Sequence, residues 1–583
     1  MAALIQRHVA SNLADANFPP DLSPMLSRVF MARGARCSDD IDLSMSSLLS
    51  PSLLMGIDGA ADLIIAAMES NSRILIVGDF DADGATSCAL AIRAFEAMGH
   101  SDVRFIVPNR FEYGYGLTPE IVDLAKPQNP SLIITVDNGI SSIDGVAAAR
   151  AAGIDVLVTD HHLPGHQLPD ANVIVNPNQR GCEFPSKALA GVGVIFYVMS
   201  AVRAGLRKKQ WFNDQRKEPN MADFLDLVAL GTVADVVPLD KNNRILVEQG
   251  LRRIRVGKCS AGIRALIEVS GRSAAKLIAS DMGFALGPRL NAAGRLDDIS
   301  IGIACLLTND VAMAKDIATE LDSMNQDRRQ IEQGMQVQAE TALARLEQDK
   351  STELPIGMCL FNDEWHQGVV GILASRIKDL HQRPVICFAL ANDSEDCSEL
   401  KGSARSIKGF HIRDALDAVA AHNPGLIDKF GGHAMAAGLS LKKDKFADFA
   451  KAFDKEASRL LTEDDLQSCV MSDGALAPDE ISIDNATLIH YATPWGQLFP
   501  EPIFDNEFLL VQQRIVGSKH LKLVLGMDDG SGQIVDAIAF NIDIKAWPDE
   551  SVKKVRAAYR LDVNRFRGQE TVQLIIEHLE KVN

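Results

Sequence analysis

The chain is poor in aromatic residues, poor in positive charge and without long apolar runs. Phenylalanine, tryptophan and tyrosine make up 5% of its 583 residues, too few for a surface that holds nucleic acid mainly by stacking bases on rings. Lysine and arginine number 59 against 77 aspartates and glutamates, a formal net charge of −18. That balance excludes a general nucleic-acid-coating protein, whose affinity rests on neutralising phosphates. Any positive charge serving such a ligand has to be local. The longest uncharged apolar run, Ala188 to Val202, is shorter than the ~18 residues of a membrane span and reads as a buried helix. The N-terminus lacks the apolar stretch of a signal peptide, so the expected location is the cytoplasm, with no membrane partner. Nine cysteines lie scattered without a C-x-x-C pair, which argues against both a disulfide framework and a cysteine-rich zinc site.

What is present is a long, ordinary globular composition, enough for about three domains. From Arg73 onward short apolar runs alternate with helical stretches: RILIVGD ending at Asp79, VRFIVPN at Asn109, SLIITVD at Asp137, DVLVTD at Asp160 and NVIVNP at Pro177. Continuous Val/Ile runs separated by amphipathic, Ala-rich segments predict a parallel sheet buried on both faces. Residues 310–348 contain no proline and one glycine and predict one long connecting helix. A second α/β pattern starts at PIGMCLF (355–361) and ends in the glycine-rich GGHAMAAG (431–438) and a further helix. After about residue 470 alternating strands predict an antiparallel barrel, its last hairpin turning at Arg567–Gly568. The expected fold class is therefore α/β, with two α/β domains joined by a long helix, plus a C-terminal OB-fold-like β-barrel. The expected divisions are 1–300, 301–350, 351–462 and 463–583.

The acidic residues occupy telling positions. Asp79, Asp81 and Asp83 follow the first strand, Asp137 ends the third, and Asp160, His161 and His162 end the fourth. Ligands of open α/β sheets bind at the carboxyl ends of the strands, so these groups converge on one edge. Each Asp alone reads equally well as a helix cap. Together, without a cation, the carboxylates would repel and some would protonate. A pair of divalent ions resolves that, and oxygen-rich ligation with a little imidazole suits Mn²⁺ or Mg²⁺.

GDFDADG (78–84), VDNG (136–139), DHH (160–162) and ADVVPL (234–239) resemble the four motifs of the DHH phosphoesterase family. The resemblance implies one metal on Asp81, Asp137 and Asp235, and another on Asp83, Asp137, His161 and Asp235. It places His162 at the scissile phosphate, making Asp137, His161 and His162 the catalytic core. Many relatives carry histidine where this chain has Val77, so Asp79 or water takes that place, or one site holds its metal weakly. GSARS (402–406) and GGHAMAAG are similar to the substrate-binding motifs of the companion DHHA1 domain, which implicates Ser403, Arg405 and His433. LGPRLNAAGR (286–295) and WHQGVVGI (365–372) resemble signatures of the RecJ-type branch. They implicate Arg289, Asn291 and Arg295, with His366 nearby. Arg110, in PNRFEYGYGLT (108–118), resembles a residue that contacts the terminal 5′-phosphate, and Tyr113 and Tyr115 are candidates for base stacking. In the barrel, Arg565, Phe566 and Arg567, with Lys519 and Lys522, suit single-stranded nucleic acid or a solvated face equally.

The family implies two-metal hydrolysis of single-stranded DNA from its 5′ end, releasing 5′-mononucleotides in recombination and repair. It also implies a monomer, with a single-strand-binding protein as a plausible partner. Smaller relatives act on short oligonucleotides or cyclic dinucleotides, and some have become non-catalytic replication scaffolds. The barrel and the extra helices favour a polymeric substrate, and the intact acidic set favours catalysis.

Overall fold

A computed structural model of the chain describes residues 4–9, 15–108, 116–348, 354–391, 398–528, 530, 532–566 and 568–582. An N-terminal strand, β1 (Leu4–Arg7), precedes a helical lead-in that includes helix Ile57–Glu69. The first sheet follows: β2 (Ile74–Gly78), β3 (Val103–Ile106), β4 (Leu132–Val136), β5 (Asp155–Thr159) and β6 (Val173–Val175). Its strands are all parallel, in the order β3-β2-β4-β5-β6. Every residue of β2 and β4 is buried, as continuous apolar runs require of a sheet covered on both faces. Alternate side chains feed two separate cores. Ile74, Ile76, Leu132 and Ile134 enter one, while Leu75, Val77, Ile133 and Val156 enter the other. The chain leaves β2 toward β3 and returns on the opposite side for β4. The crevice where strand order reverses thus lies between the carboxyl ends of β2 and β4, where open α/β sheets bind ligands.

Helix Ala82–Ala97 runs out of β2 and is covered by helices Gly191–Lys208 and Leu225–Ala234. The long helix, Val311–Gln348, has 38 residues, roughly 57 Å at 1.5 Å per residue. Its first turns bury Ala314, Ala318 and Leu321 in the core of the first domain. Its last described turns bury Met335, Ala339 and Leu343 against Leu373 and Ile377 of the second. Between them the buried face turns polar: Arg328 bonds Glu332 at 2.9 Å and Asn325 at 3.1 Å, and Glu332 pairs with Arg376 at 3.0 Å.

The second sheet contains β7 (Met358–Phe361), β8 (Val385–Leu390), β9 (Glu399–Arg405), β10 (Lys429–Gly432) and β11 (Ala436–Lys442), in the order β10-β11-β9-β8-β7. Only β7 and β8 run parallel. The glycine-rich segment is largely strand: GGHAMAAG forms the β10–β11 hairpin, closed by His433 N–H donating to Ala436 O at 2.8 Å.

Strand β12 (Cys469–Ser472) pairs in parallel with β1. It leads into a closed barrel of β13 (Phe504–Val516), β14 (His520–Met527), β15 (Ile534–Ala539), β16 (Lys554–Phe566) and β17 (Gln569–Val582), ordered β13-β14-β15-β17-β16. The α/β class, the connecting helix and the C-terminal barrel agree with the sequence, except that the barrel, expected as antiparallel, closes through one parallel pair, β15 with β17. No single described helix is long and apolar enough to cross a membrane.

Asp505 ties the two ends of the chain together. Its buried carboxylate accepts from Arg7 Nε and Nη2 at 2.8 and 2.9 Å, from Ser472 Oγ at 2.5 Å and from Arg556 Nη2 at 2.8 Å. Burial raises its pKa, but the bonds from Arg7, Ser472 and Arg556 outweigh that and hold it at about 2. A carboxyl depressed below its unfolded value of about 4 stabilises the fold above pH ~4, and this contribution is lost as pH falls toward 2. Asp505→Asn is therefore expected to lower stability by about 2 kcal/mol at neutral pH and to flatten the acid limb of the stability–pH curve. Urea denaturation between pH 2.5 and 7 measures both, and an unchanged acid limb would count against the assignment.

Candidate metal centre

The site grows from the ends of β2, β4 and β5. Asp81 caps helix Ala82–Ala97, its Oδ1 accepting from Asp83 and Gly84 N–H at 2.9 and 3.0 Å. Capping and ligation are thus not alternatives here, because the cap leaves Oδ2 for a cation. Asp83 is buried in the first turn and accepts from Gly191 and Val192 N–H at 2.6 and 2.9 Å, at the start of helix Gly191–Lys208. Asp137 sits with φ at +62°, a left-handed backbone that Asp tolerates better than most residues and that turns the chain sharply at the end of β4. Asp235 ends helix Leu225–Ala234.

These side chains converge. His161 Nε2 lies 3.1 Å from Asp137 Oδ1 and 3.5 Å from Asp235 Oδ2. Three overlapping sets offer ligand atoms within 4.8 Å of one another: Asp79, Asp81 and Asp137; Asp83, His161 and Asp235; and Asp137, His161 and His162. Asp79 therefore stands with Asp81 and Asp137, while Val77 is buried in the sheet core.

The electrostatics are those of a cation site. Burial raises the pKa of Asp137, and the carboxylates of Asp83, Asp81 and Asp235 raise it further, well above the ordinary range. Burial pushes Asp235 up likewise, helped by the charges of Asp83, Asp81 and Asp79, and burial with Asp81 raises Asp83 to about 7. Burial lowers His161 to about 4, which leaves its ring neutral, the form that binds metal. His161 Nε2 and Asp235 Oδ2 are both buried without a hydrogen bond among the described residues, an arrangement that a divalent ion fits.

His162 differs. Burial opposes its charge, but a 2.8 Å bond from its Nδ1 to Asp160 and the Asp160 charge raise it to about 9, so it is an imidazolium at neutral pH. Its ring faces that of His433, from the β10–β11 hairpin, at 6.4 Å. Ser403 and Arg405 project from one face of β9, next to that hairpin, with Arg405 Nη1 donating to Ser403 Oγ at 3.1 Å.

Several residues named from the sequence also brace the structure. Asn291 Oδ1 accepts from Ala82 N–H at 2.8 Å, which holds the loop bearing Asp81 and Asp83. Arg289 is buried and pairs with Asp322 of the long helix at 2.6 Å. Arg295 Nη1 donates to Gly368 O at 3.2 Å across the domain boundary, and His366 Nδ1 accepts from Gly368 N–H. In the barrel, Arg565 is ion-paired with Glu570 and Lys522 with Asp536. Arg110, Tyr113, Tyr115 and Arg567 lie outside the described residues, as does the Phe566 side chain.

Supporting residues went unnoticed in the sequence. Asn138 Nδ2 clamps Val77 O and Val136 O at 3.0 and 2.9 Å, locking the ends of β2 and β4. Asn176 and Asn178 donate to the carbonyls of His162 and His161 at 2.9 and 2.6 Å. They brace the turn of Asp160, already named from the sequence, which accepts from Ile140, His161 and His162 N–H. The N-P-N turn after β6 was the available signal, since asparagine in such turns bonds nearby backbone.

Known proteins match this arrangement along the whole chain. The family model "DHH family, N-terminal domain" matches residues 73–232, "DHHA1 domain" 355–459 and "RecJ OB domain" 472–578. The single-stranded-DNA-specific exonuclease RecJ of Escherichia coli (strain K12) is 54% identical over 565 residues, covering 97% of each chain. The chain belongs to the RecJ family. The RecJ of Dickeya dadantii (strain 3937) is 55% identical, again over 97% of each chain. Among solved structures, RecJ from Thermus thermophilus in complex with Mn²⁺ matches with a TM-score of 0.78 at 28% identity, covering 98% of this chain and 80% of that one. A Mg²⁺ complex of the same protein matches at 0.73.

Asn291→Ala removes a strut and no ligand atom. Loss of such outer support typically weakens metal binding 10–100-fold. Calorimetric Mn²⁺ titration is expected to report a loss of that size with an unchanged melting profile. Wild-type Mn²⁺ affinity with lost DNA binding would instead return Asn291 to substrate contact.

Proposed function

We propose that the protein is a metal-dependent exonuclease that hydrolyses single-stranded DNA 5′ to 3′, releasing 5′-mononucleotides, in DNA recombination and repair. The observation that carries this reading is the convergence of buried Asp83 and Asp137 with partly buried His161 and Asp235 at the carboxyl edge of the first sheet, opposite His433 of the second domain. Asp79, Asp81, Asp83, Asp137, His161 and Asp235 would hold two Mn²⁺ or Mg²⁺ ions. When bound, the ions supply Lewis-acid polarisation of the phosphate and lower the pKa of the attacking water.

The chain's own groups do the rest. His162, kept cationic by Asp160, donates a proton-bearing nitrogen toward the charge that develops on the phosphoryl oxygens. The Asp160 bond to Nδ1 fixes the orientation of its ring. Ser403 and Arg405 bind the terminal 5′-phosphate, with Arg110, and the spacing from that pocket to His162 sets the cut one nucleotide inward. His433, neutral because burial and the His162 charge lower its pKa, adds a donor without adding charge. Arg289, Asn291 and Arg295 hold the walls of the cleft. Residues 1–300 carry catalysis, 351–462 bind substrate and 463–583 hold the strand, with 301–350 as connector.

All these ligands come from a single chain, which supports a monomer. None of the described cysteines is in a disulfide, which supports a cytoplasmic setting. A single-strand-binding protein is the partner that such a substrate brings with it.

Digestion of 5′-labelled and 3′-labelled single-stranded DNA with Mn²⁺ tests the reading, beside Asp137→Ala and a blunt duplex. Immediate release of labelled 5′-mononucleotide from the single strand alone is expected, with activity at least ~10³-fold lower in Asp137→Ala. Absence of metal-dependent cleavage from any strand would sink the proposal.

A further inference from the structure

Among the described residues Phe284 is the most exposed of the large aromatic side chains, at 80%, in a chain with few aromatics to spare. It lies in Met282–Leu286, a stretch of π-helix running into helix Gly287–Leu296. Single π turns are rare and occur often at functional sites. Its neighbours in the turn, Met282, Ala285 and Leu286, are buried, so the segment is anchored and only Phe284 is turned out.

The anchor lies on the metal centre's own supports. A Cβ on Gly283 would sit 3.3 Å from Val233 Cγ1, and one on Gly287 2.9 Å from Ala234 Cβ. The π turn therefore rests on the last turn of the helix that delivers Asp235. Seven residues beyond Phe284, Asn291 holds Ala82 at the start of the helix that Asp81 caps and whose first turn carries Asp83. Directly after Asp235, Val236 is also exposed, at 65%, with a left-handed φ of +61°. That backbone is strained for a β-branched residue. Two apolar side chains thus stand in solvent beside the helix end that delivers Asp235, one from a π turn packed on that end and one from the strained residue that follows it.

We infer that Phe284 is a base-stacking residue that takes a nucleobase of the single strand as it enters the metal centre. The inference rests on the proposed single-stranded substrate and deepens it. A ring at this rim reads no sequence, because every base offers a π-face. It also separates single strands from duplex, whose bases have their faces already stacked on one another. One well-placed ring suffices for this, which is compatible with the low aromatic content.

The test compares the full-length wild type with Phe284→Ala, Phe284→Trp and, as a distant exposed control, Leu380→Ala. Binding of a 5′-phosphorylated, 3′-labelled dT20 is followed by fluorescence anisotropy in EDTA, so that no cleavage occurs. Phe284→Ala is expected to bind about tenfold more weakly, Phe284→Trp within about twofold of wild type, and Leu380→Ala unchanged. With Mn²⁺ present the same loss falls on KM. On an oligonucleotide with abasic residues through its 5′ third, wild type and Phe284→Ala should bind alike. Equal binding of dT20 by wild type and Phe284→Ala, or an equal loss on the abasic strand, would overturn the inference. Hydrolysis by the wild type, run alongside, reports separately on the parent reading.

Discussion

Like charges buried together repel, and the first sheet is arranged around that fact. Asp79, Asp83 and Asp137 are almost wholly inside, with Asp81 and Asp235 beside them, and water cannot screen them there. The surrounding backbone supplies part of the compensation. Gly191 and Val192 N–H meet Asp83, and Asp83 and Gly84 N–H meet Asp81. These bonds aim the carboxylates without neutralising them, and the pKa values of Asp83, Asp137 and Asp235 stay raised. The remaining deficit is what makes the cluster a receptor for divalent cations. It also reconciles a net charge of −18 with a polyanionic substrate, because the ions bring positive charge to the place where phosphate must sit.

The second constraint is the relation between the two α/β domains. His162 and His433 belong to different domains and face each other at 6.4 Å, so this juxtaposition exists only while the domains hold their spacing. The long helix maintains it with an apolar seam at each end and a polar one between. Greasy seams tolerate sliding, whereas the Asn325–Arg328–Glu332–Arg376 chain of bonds has one register. Arg289 with Asp322 and Arg295 with Gly368 O extend the same logic to both sides.

Much of this was legible beforehand. Strands read from Ile/Val runs delivered Asp79, Asp81, Asp83, Asp137, His161 and His162 to one edge because parallel strands share a carboxyl end. The long helix and the barrel followed from periodicity. What stayed hidden depends on contacts between distant segments. No pattern in LGPRLNAAGR says that Asn291 bonds Ala82, more than 200 residues away, or that Arg289 spends its charge on Asp322. Nor does GGHAMAAG announce itself as a hairpin, since glycine weakens strand propensity and only its neighbour β9 stabilises the pairing. Asn138, Asn176 and Asn178 were overlooked because a neutral amide clamping carbonyls has no charge signature.

Glycine contributes at the site by what it omits. A methyl group on Gly191 would lie 2.6 Å from Asp137 Oδ1, one on Gly231 2.9 Å from Asp83 Oδ1, and one on Gly371 2.9 Å from both Arg405 Nη2 and Ser403 Oγ. The functional groups are thus seated against bare backbone from three directions. A homologue could keep every ligand, every basic residue and the whole fold, yet be inert through a single added carbon. Presence of the acidic set alone is therefore no proof of a working enzyme, and the intervening glycines are as diagnostic as the charges they accommodate.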